Sequence, residues 1–352
     1  MIFGFLNTQI VRAKRCFGYV FPVAAVLLVS SCSDYPDGLE TVAEYQQRLT
    51  YAQDLPPLEV ELAYPKRMPV ARELNSDIER LSLSLIDAWR LDECPAGALI
   101  AERNSALGRL TDGVLRYYND LKMLEALRLC AADVTENSTW QVRLTAAINA
   151  KQEQLPQLRQ QAIATDDALR HSLSPAATPL ASADDARLAP TLAAFEVVLT
   201  VFEYRKTGDQ LPSFEQLESA LENLQNSSYL PGYWRSLHDK QHYLAALAPL
   251  LTGVSERAGC LSKGTPERAK ILRNIFTKFF ASELQPQLAG FVSQGYQLTP
   301  LLERLQAQST HPEVTQYLNY LAELPMQLTT TTRAHAQQWQ EFFRDCDFVP
   351  GA

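Results

Sequence analysis

The chain is 352 residues long, 46% hydrophobic and 20% charged, with 32 Lys and Arg against 40 Asp and Glu for a formal net charge of −8. Such a composition belongs to a folded globular protein and excludes disordered and collagen-like chains. The acidic balance, with no basic cluster beyond the first residues, excludes nucleic acid as a partner and rules out an electrostatic grip on anionic lipid.

Residues 1–31 read as a signal peptide. Arg12, Lys14 and Arg15 supply a positive start, and Phe17 to Val29 form an apolar run interrupted only by Gly18 and Pro22. A membrane-spanning helix needs about 20 apolar residues, and the polar sequence from Ser30 onward ends this run too early. Val29, Ser30, Ser31 and Cys32 resemble the lipobox of bacterial lipoproteins, in which an aliphatic residue and two small ones precede an obligatory cysteine. The resemblance implies cleavage before Cys32, a diacylglycerol thioether on its sulfur and an N-acyl chain such as palmitate. With two or three chains, anchoring is stable where one would be marginal. Ser33 in the next position is similar to the sorting signal that sends Gram-negative lipoproteins to the outer membrane. The expected address is therefore the cell envelope, with the protein on the outer membrane facing the periplasm. Three basic residues and no acidic ones precede Cys32, so the mature part carries 29 basic against 40 acidic residues, a net charge of −11. Lipid, not protein charge, must hold it to the membrane.

Residues 32–38 are polar and flexible and serve as a tether. A first helix is expected over 39–53. Residues 54–75 hold Pro56, Pro57, Pro65 and Pro69, which predicts an extended strap across the surface of the main helical bundle, since proline cannot continue a helix. From Ser76 onward almost every segment has a helical period and no useful strand alternation. The fold class is all-α, a multi-helix bundle. Its N-terminal helical half runs over 39–172, an Ala-, Ser- and Pro-rich loop over 173–190, and a C-terminal helical half over 191–352, either as two packed subdomains or around one core. Ser76 with Glu79, Ser138 with Gln141, and Ser213 with Gln216 have capping-box spacing. Thr265-Pro266 and Thr299-Pro300 read as N-caps followed by a first-turn proline. Leu192, Phe195, Leu199 and Phe202 form one apolar stripe, and Ile271, Ile275 and Phe279 another.

Six cysteines are present. Cys16 leaves with the signal and Cys32 is taken by lipid, so Cys94, Cys130, Cys260 and Cys346 remain. An even number in an oxidising compartment implies two disulfides, with three connectivities open. Cys94 with Cys130 and Cys260 with Cys346 is the favoured pairing, because each bridge then lies within one half of the chain. Neither a CxxC nor a Cys/His cluster supports zinc.

Between Cys94 and Cys130 runs Leu99-Ile100-Ala101-Glu102-Arg103-Asn104-Ser105-Ala106-Leu107-Gly108. With the lipobox, the flanking cysteines and the later Leu115-Arg116-Tyr117-Tyr118, it resembles the proteobacterial lipoproteins grouped as DUF3080, a domain of unknown function. The resemblance covers most of the mature chain and implies location and fold, with no chemistry attached. From the residues themselves, Glu102, Arg103, Asn104 and Ser105 are the candidate binding site, as acid, electrophile and hydrogen-bond donors in a cleft. The competing architectural reading has Asn104 ending a helix in the left-handed conformation, Ser105 capping the next, Gly108 permitting a tight turn, and Glu102 and Arg103 forming half-buried pairs.

Other motifs carry less. His238 and His242 stand one helical turn apart, but Asp239 replaces the general-base Glu of a zinc protease helix and no third ligand is evident. A solvated helix shoulder fits them better. Glu218-Ser219 lacks the downstream sequence of a lytic transglycosylase. No phosphate loop or nucleophile elbow occurs, and Trp89 and Trp339 read as core. The sequence therefore implies no cofactor and no metal. It points to a noncatalytic interaction or scaffold role with an envelope protein as partner; the alternative is an enzyme or binder for an envelope glycan, peptide or lipid near Glu102 and Arg103.

Overall fold

The computed structural model describes residues 35–75, 78, 94–132, 138–183, 186–205, 210–260 and 266–348. Helix α1 (Glu40–Ala52) leads into residues 55–70, which have neither helix nor strand, and a short α2 (Ala71–Leu74). The prolines explain the extended path, and the body holds it down. Arg170 donates to Pro69 O at 2.7 Å, Gln46 to Leu58 O, and Met68 is buried in the core. This is the strap the prolines call for.

Helices α3 (Pro95–Asn104), α4 (Ala106–Leu110), α5 (Gly113–Ala132) and α6 (Thr139–Thr165) come next. α5 and α6 pack along their length, and α3 lies on α5. One carboxylate fixes how the next turn begins. Asp166 is the N-cap of α7 (Asp167–Leu173), accepting from Leu169 N at 3.1 Å, and its other oxygen accepts from Val114 N at 2.9 Å at the start of α5. Gly113 has φ +55°, and a Cβ there would lie 2.3 Å from Asp166 Oδ2, so only glycine allows the approach. Burial raises the Asp166 pKa, while amide hydrogen bonds, chiefly from Val114 and Leu169, oppose the rise.

Residues 174–183, 186 and 187 lie outside helix, and α8 follows (Leu188–Glu203). The intervening loop is pinned by Ala176 N to Pro231 O at 2.8 Å and Leu180 N to Ser236 Oγ at 2.7 Å. Beyond it lie α9 (Phe214–Asn226), α10 (Tyr229–Ala246), α11 (Ala248–Leu251), α12 (Val254–Arg257) and α13 (Glu267–Ile275). A π-helix (Phe276–Leu284) then joins α14 (Gln285–Gln308), and α15 (Pro312–Asp345) ends the described helices. No strand occurs among the described residues. The main apolar core draws on both sides of the loop, with Tyr45, Tyr118 and Leu158 in the same cluster as Phe195, Trp234, Phe291 and Trp339. A smaller cluster gathers Ala96, Met123, Leu127, Cys130 and Leu144 under α3.

Several local expectations hold. Ser213 and Gln216 exchange both capping-box bonds, at 2.8 and 3.2 Å, and Ser138 accepts from Gln141 N at 3.1 Å. Cys94 pairs with Cys130 (Cα–Cα 5.7 Å) and Cys260 with Cys346 (4.8 Å). Phe195, Leu199 and Phe202 are buried, as is Trp339. Ser76, Glu79, Trp89 and Thr265 lie outside the described residues.

Others are corrected. Thr299-Pro300 starts no helix: Pro300 sits inside α14, because the buried row Leu298, Leu301, Leu302 and Leu305 continues through it. An interior proline costs about 3 kcal/mol, which this burial offsets. Pro266 stands at the N-cap of α13 and not in its first turn. Ile271 is 46% exposed; the buried positions are Ala269, Leu272 and Ile275, followed by Phe280 and Leu284. The wider π turn moves the inward face from a three-to-four-residue step to one of five, which is why Phe280 and not Phe279 enters the core.

Candidate functional site

α3, α4, α5 and the start of α9 enclose a groove of about 550 Å³, within the range of small-ligand and peptide sites. Its position is set by local chemistry. α3 ends at Asn104, and Ser105 starts α4 by accepting from Gly108 N at 3.0 Å. Gly108 folds so tightly on the preceding turn that a Cβ would come within 2.2 Å of Glu102 O. Asn104 does not take the left-handed conformation expected of it, since the only non-glycine residues with positive φ among those described are Asp54 and Asp347. The chain turns instead through Ser105, which has extended angles.

The floor of the groove is ionic. Asp120 of α5 and Lys151 of α6 are 3% and 2% exposed, with Lys151 Nζ donating to Asp120 Oδ1 at 2.8 Å. Arg103 reaches the same oxygen at 3.4 Å. Burial lowers the Lys151 pKa and the Asp120 charge opposes the shift. The second carboxylate oxygen, Oδ2, is buried and has no hydrogen-bond partner among the described residues. Leu99, Leu115 and Met123 give apolar wall, while Leu110, 78% exposed, and Phe214 stand on the rim.

Of the four residues singled out from sequence, Glu102, Arg103 and Ser105 line this groove and Asn104 does not. Glu102 is exposed, and Arg103 points its guanidinium at Asp120. Cys32 lies outside the described residues. Asp120 and Lys151 were missed, although a signal was present: Lys151 is seven residues from both Leu144 and Leu158, all on the buried stripe of α6. A charge at a core position of an amphipathic helix calls for a partner. Glu218 also lines the groove, whereas Ser219 opens on a separate shallow concavity, so the Glu-Ser pair does not act in one place.

The histidine pair is architectural, and His238 is not on a solvated shoulder. His238 and Asp239 are buried, His238 Nδ1 lies 2.8 Å from Asp239 Oδ1, Arg235 pairs with the other Asp239 oxygen, and the His238 and His242 rings stack at 4.1 Å. The neighbouring Lys240 is also buried and donates to Gly38 O; burial pushes its pKa down to about 8. Among the described residues no group of three His, Cys, Asp or Glu could hold a metal ion. Nor is any of their helices long and apolar enough to cross a membrane.

Fold and site together define an all-helical, disulfide-bonded protein with a mixed ionic and apolar groove. A family model described as "Protein of unknown function (DUF3080)" matches residues 42–350, and the chain belongs to that family. No curated protein and no solved structure matches it.

Proposed function

We propose that this protein is a lipoprotein of the cell envelope, anchored through lipid on Cys32 and directed by Ser33 to the outer membrane, whose helical body receives an envelope protein in the groove between α3, α4, α5 and α9 without chemical turnover. The lipobox supports the anchor, and two disulfides suit an oxidising compartment. The observation that carries the binding role is the apolar rim of the groove, where Leu110 is 78% exposed and Phe214 stands beside a wall of Leu99, Leu115 and Met123. A partner that covers Leu110 and Phe214 removes that apolar surface from water.

Photo-crosslinking in intact cells tests this. A benzoylphenylalanine at position 110 is expected to trap one discrete protein partner, and the same probe at Tyr51, exposed on α1 away from the groove, is expected not to. Identical adduct patterns at both positions, or none at 110, would overturn the proposal.

A further inference from the structure

An anchor on Cys32 would leave the body little slack. Residues 32–38 read as a tether in the sequence, but from Tyr35 onward they are fixed to the folded chain. Tyr35 packs against the main core, and its hydroxyl donates to Gln47 Oε1 of α1. Pro36 O accepts from Leu39 N at 3.0 Å, Gly38 N donates to Glu40 Oε1 at 2.8 Å, and the buried Lys240 donates to Gly38 O. Only Ser33 and Asp34 then separate Cys32 from the body. Three consecutive Cα–Cα steps span at most about 11 Å. The head-group layer on each side of a bilayer is about 5–7 Å deep. With the Cys32 sulfur carrying a lipid glycerol in that layer, Tyr35 stands in or just above the head groups, whatever path the link takes.

Beside Tyr35 runs an exposed ridge of α1. Glu44, Gln47, Arg48 and Tyr51 follow one another at three- and four-residue steps along one side of the helix. Tyr51 is 87% exposed and lies about 6 Å along the axis from Gln47. α13 and the π-helix flank this ridge in the opposite direction: Arg268 pairs with Asp54 beyond one end of α1, and Arg48 lies 5.0 Å over the Phe279 ring nearer the other. Between those two contacts α13 carries Ile271, 46% exposed. In an acidic protein the ridge is close to charge-balanced, since Glu44 pairs with Arg48 at 3.0 Å and Asp54 with Arg268. Tyrosine suits the membrane–water boundary, because its ring is apolar and its hydroxyl stays wet.

We propose that the body rests on the phospholipid surface through this ridge, with Tyr35 and Tyr51 at head-group depth. The inference rests on the Cys32 anchor: acylation supplies the affinity and the ridge sets the orientation, so no excess of positive charge is needed. α1 packs on α10, α13 and the π-helix, and none of its residues enters the small cluster under α3. The orientation therefore keeps the α3–α5 groove clear of the bilayer and open to its partner.

Fluorescence quenching tests the orientation. With Cys32 acylated and Cys94, Cys130, Cys260 and Cys346 bridged, Tyr51→Cys or Val142→Cys adds a single free thiol for a bimane label. The two positions are 87% and 66% exposed, which spares the fold, and Val142 lies on α6 between Trp140 and Leu144 of the small cluster. The acylated full chain is reconstituted into phosphatidylethanolamine and phosphatidylglycerol vesicles that carry a nitroxide on the lipid head group, and flotation measures the bound fraction. The label at 51 is expected to lose most of its emission, and the label at 142 to keep nearly all of it. A chain that floats with the vesicles while the label at 51 stays bright, or while both labels dim equally, overturns the orientation and leaves the anchor standing. A chain that does not float overturns the anchor and the orientation with it.

Discussion

His335 should make this protein acid-sensitive in a way one substitution can isolate. The ring is 3% exposed, its Nε2 lies 2.7 Å from the Tyr45 hydroxyl, and that hydroxyl accepts from Trp339 Nε1 at 2.7 Å. The Trp339 indole is donor only, which leaves the Tyr45 hydroxyl its own proton to give, and the neutral Nδ1-protonated tautomer of His335 accepts it at Nε2. Phe280 packs on the imidazole at 4.9 Å. Burial drops its pKa from 6.5 to about 4. The folded state therefore binds fewer protons than the unfolded state between these values. The stability due to neutral His335 is complete above pH 6.5 and is lost as pH falls toward 4. Integrating the linkage gives a loss of about 2 kcal/mol between pH 8 and pH 5, and about 3 kcal/mol below pH 4. Asp166 works in the opposite sense, because its pKa is raised, so the total pH profile mixes the two. His335→Gln separates them, since the amide oxygen still accepts from Tyr45 and does not titrate. Urea denaturation of both proteins at pH 8 and pH 5 should show the wild type losing about 2 kcal/mol more than the variant. Parallel losses in the two proteins would refute the reasoning.

The ionic floor of the groove gives a second test. Lys151→Met removes the closest cation from the buried Asp120 and leaves Arg103 at 3.4 Å, and should cost about 3–5 kcal/mol in denaturant stability; adding Asp120→Leu should recover most of it. Asp166→Ala removes caps from α5 and α7 together, with an expected loss of about 2–3 kcal/mol against about 1 kcal/mol for Ser105→Ala, which removes one. Reduction should act unequally, because the Cys260–Cys346 bridge closes 86 residues and Cys94–Cys130 closes 36. In the chain-entropy model paired Cys→Ala replacement costs about 4.6 and about 3.8 kcal/mol respectively, which calorimetry of the two variants checks.

Fold class, strap, bridges and three serine caps, Ser105, Ser138 and Ser213, were legible in the sequence because each rests on local chemistry: proline's missing donor, cysteine parity, a serine three residues before its amide. What was illegible depends on tertiary packing. Pro300 looks like a helix start, but the leucine row on its far side carries the helix past it. Ile271 looks inward when grouped with Ile275 and Phe279, but the buried face of α13 runs through Ala269, Leu272 and Ile275 and the π-helix then steps it to Phe280, a change that periodicity does not encode. The groove was half legible. Glu102, Arg103 and Ser105 stand out between two cysteines, while Asp120 and Lys151 become partners only when α5 and α6 pack, and Phe214 joins them from almost a hundred residues away.

The proposed anchor is the claim on which the functional account depends most, and metabolic labelling with radioactive palmitate measures it directly. The account predicts label on the wild-type chain, none on Cys32→Ser, and release of the unlabelled variant from the membrane fraction. Equal label on both proteins, or an unlabelled wild type that stays in the membrane, would contradict it.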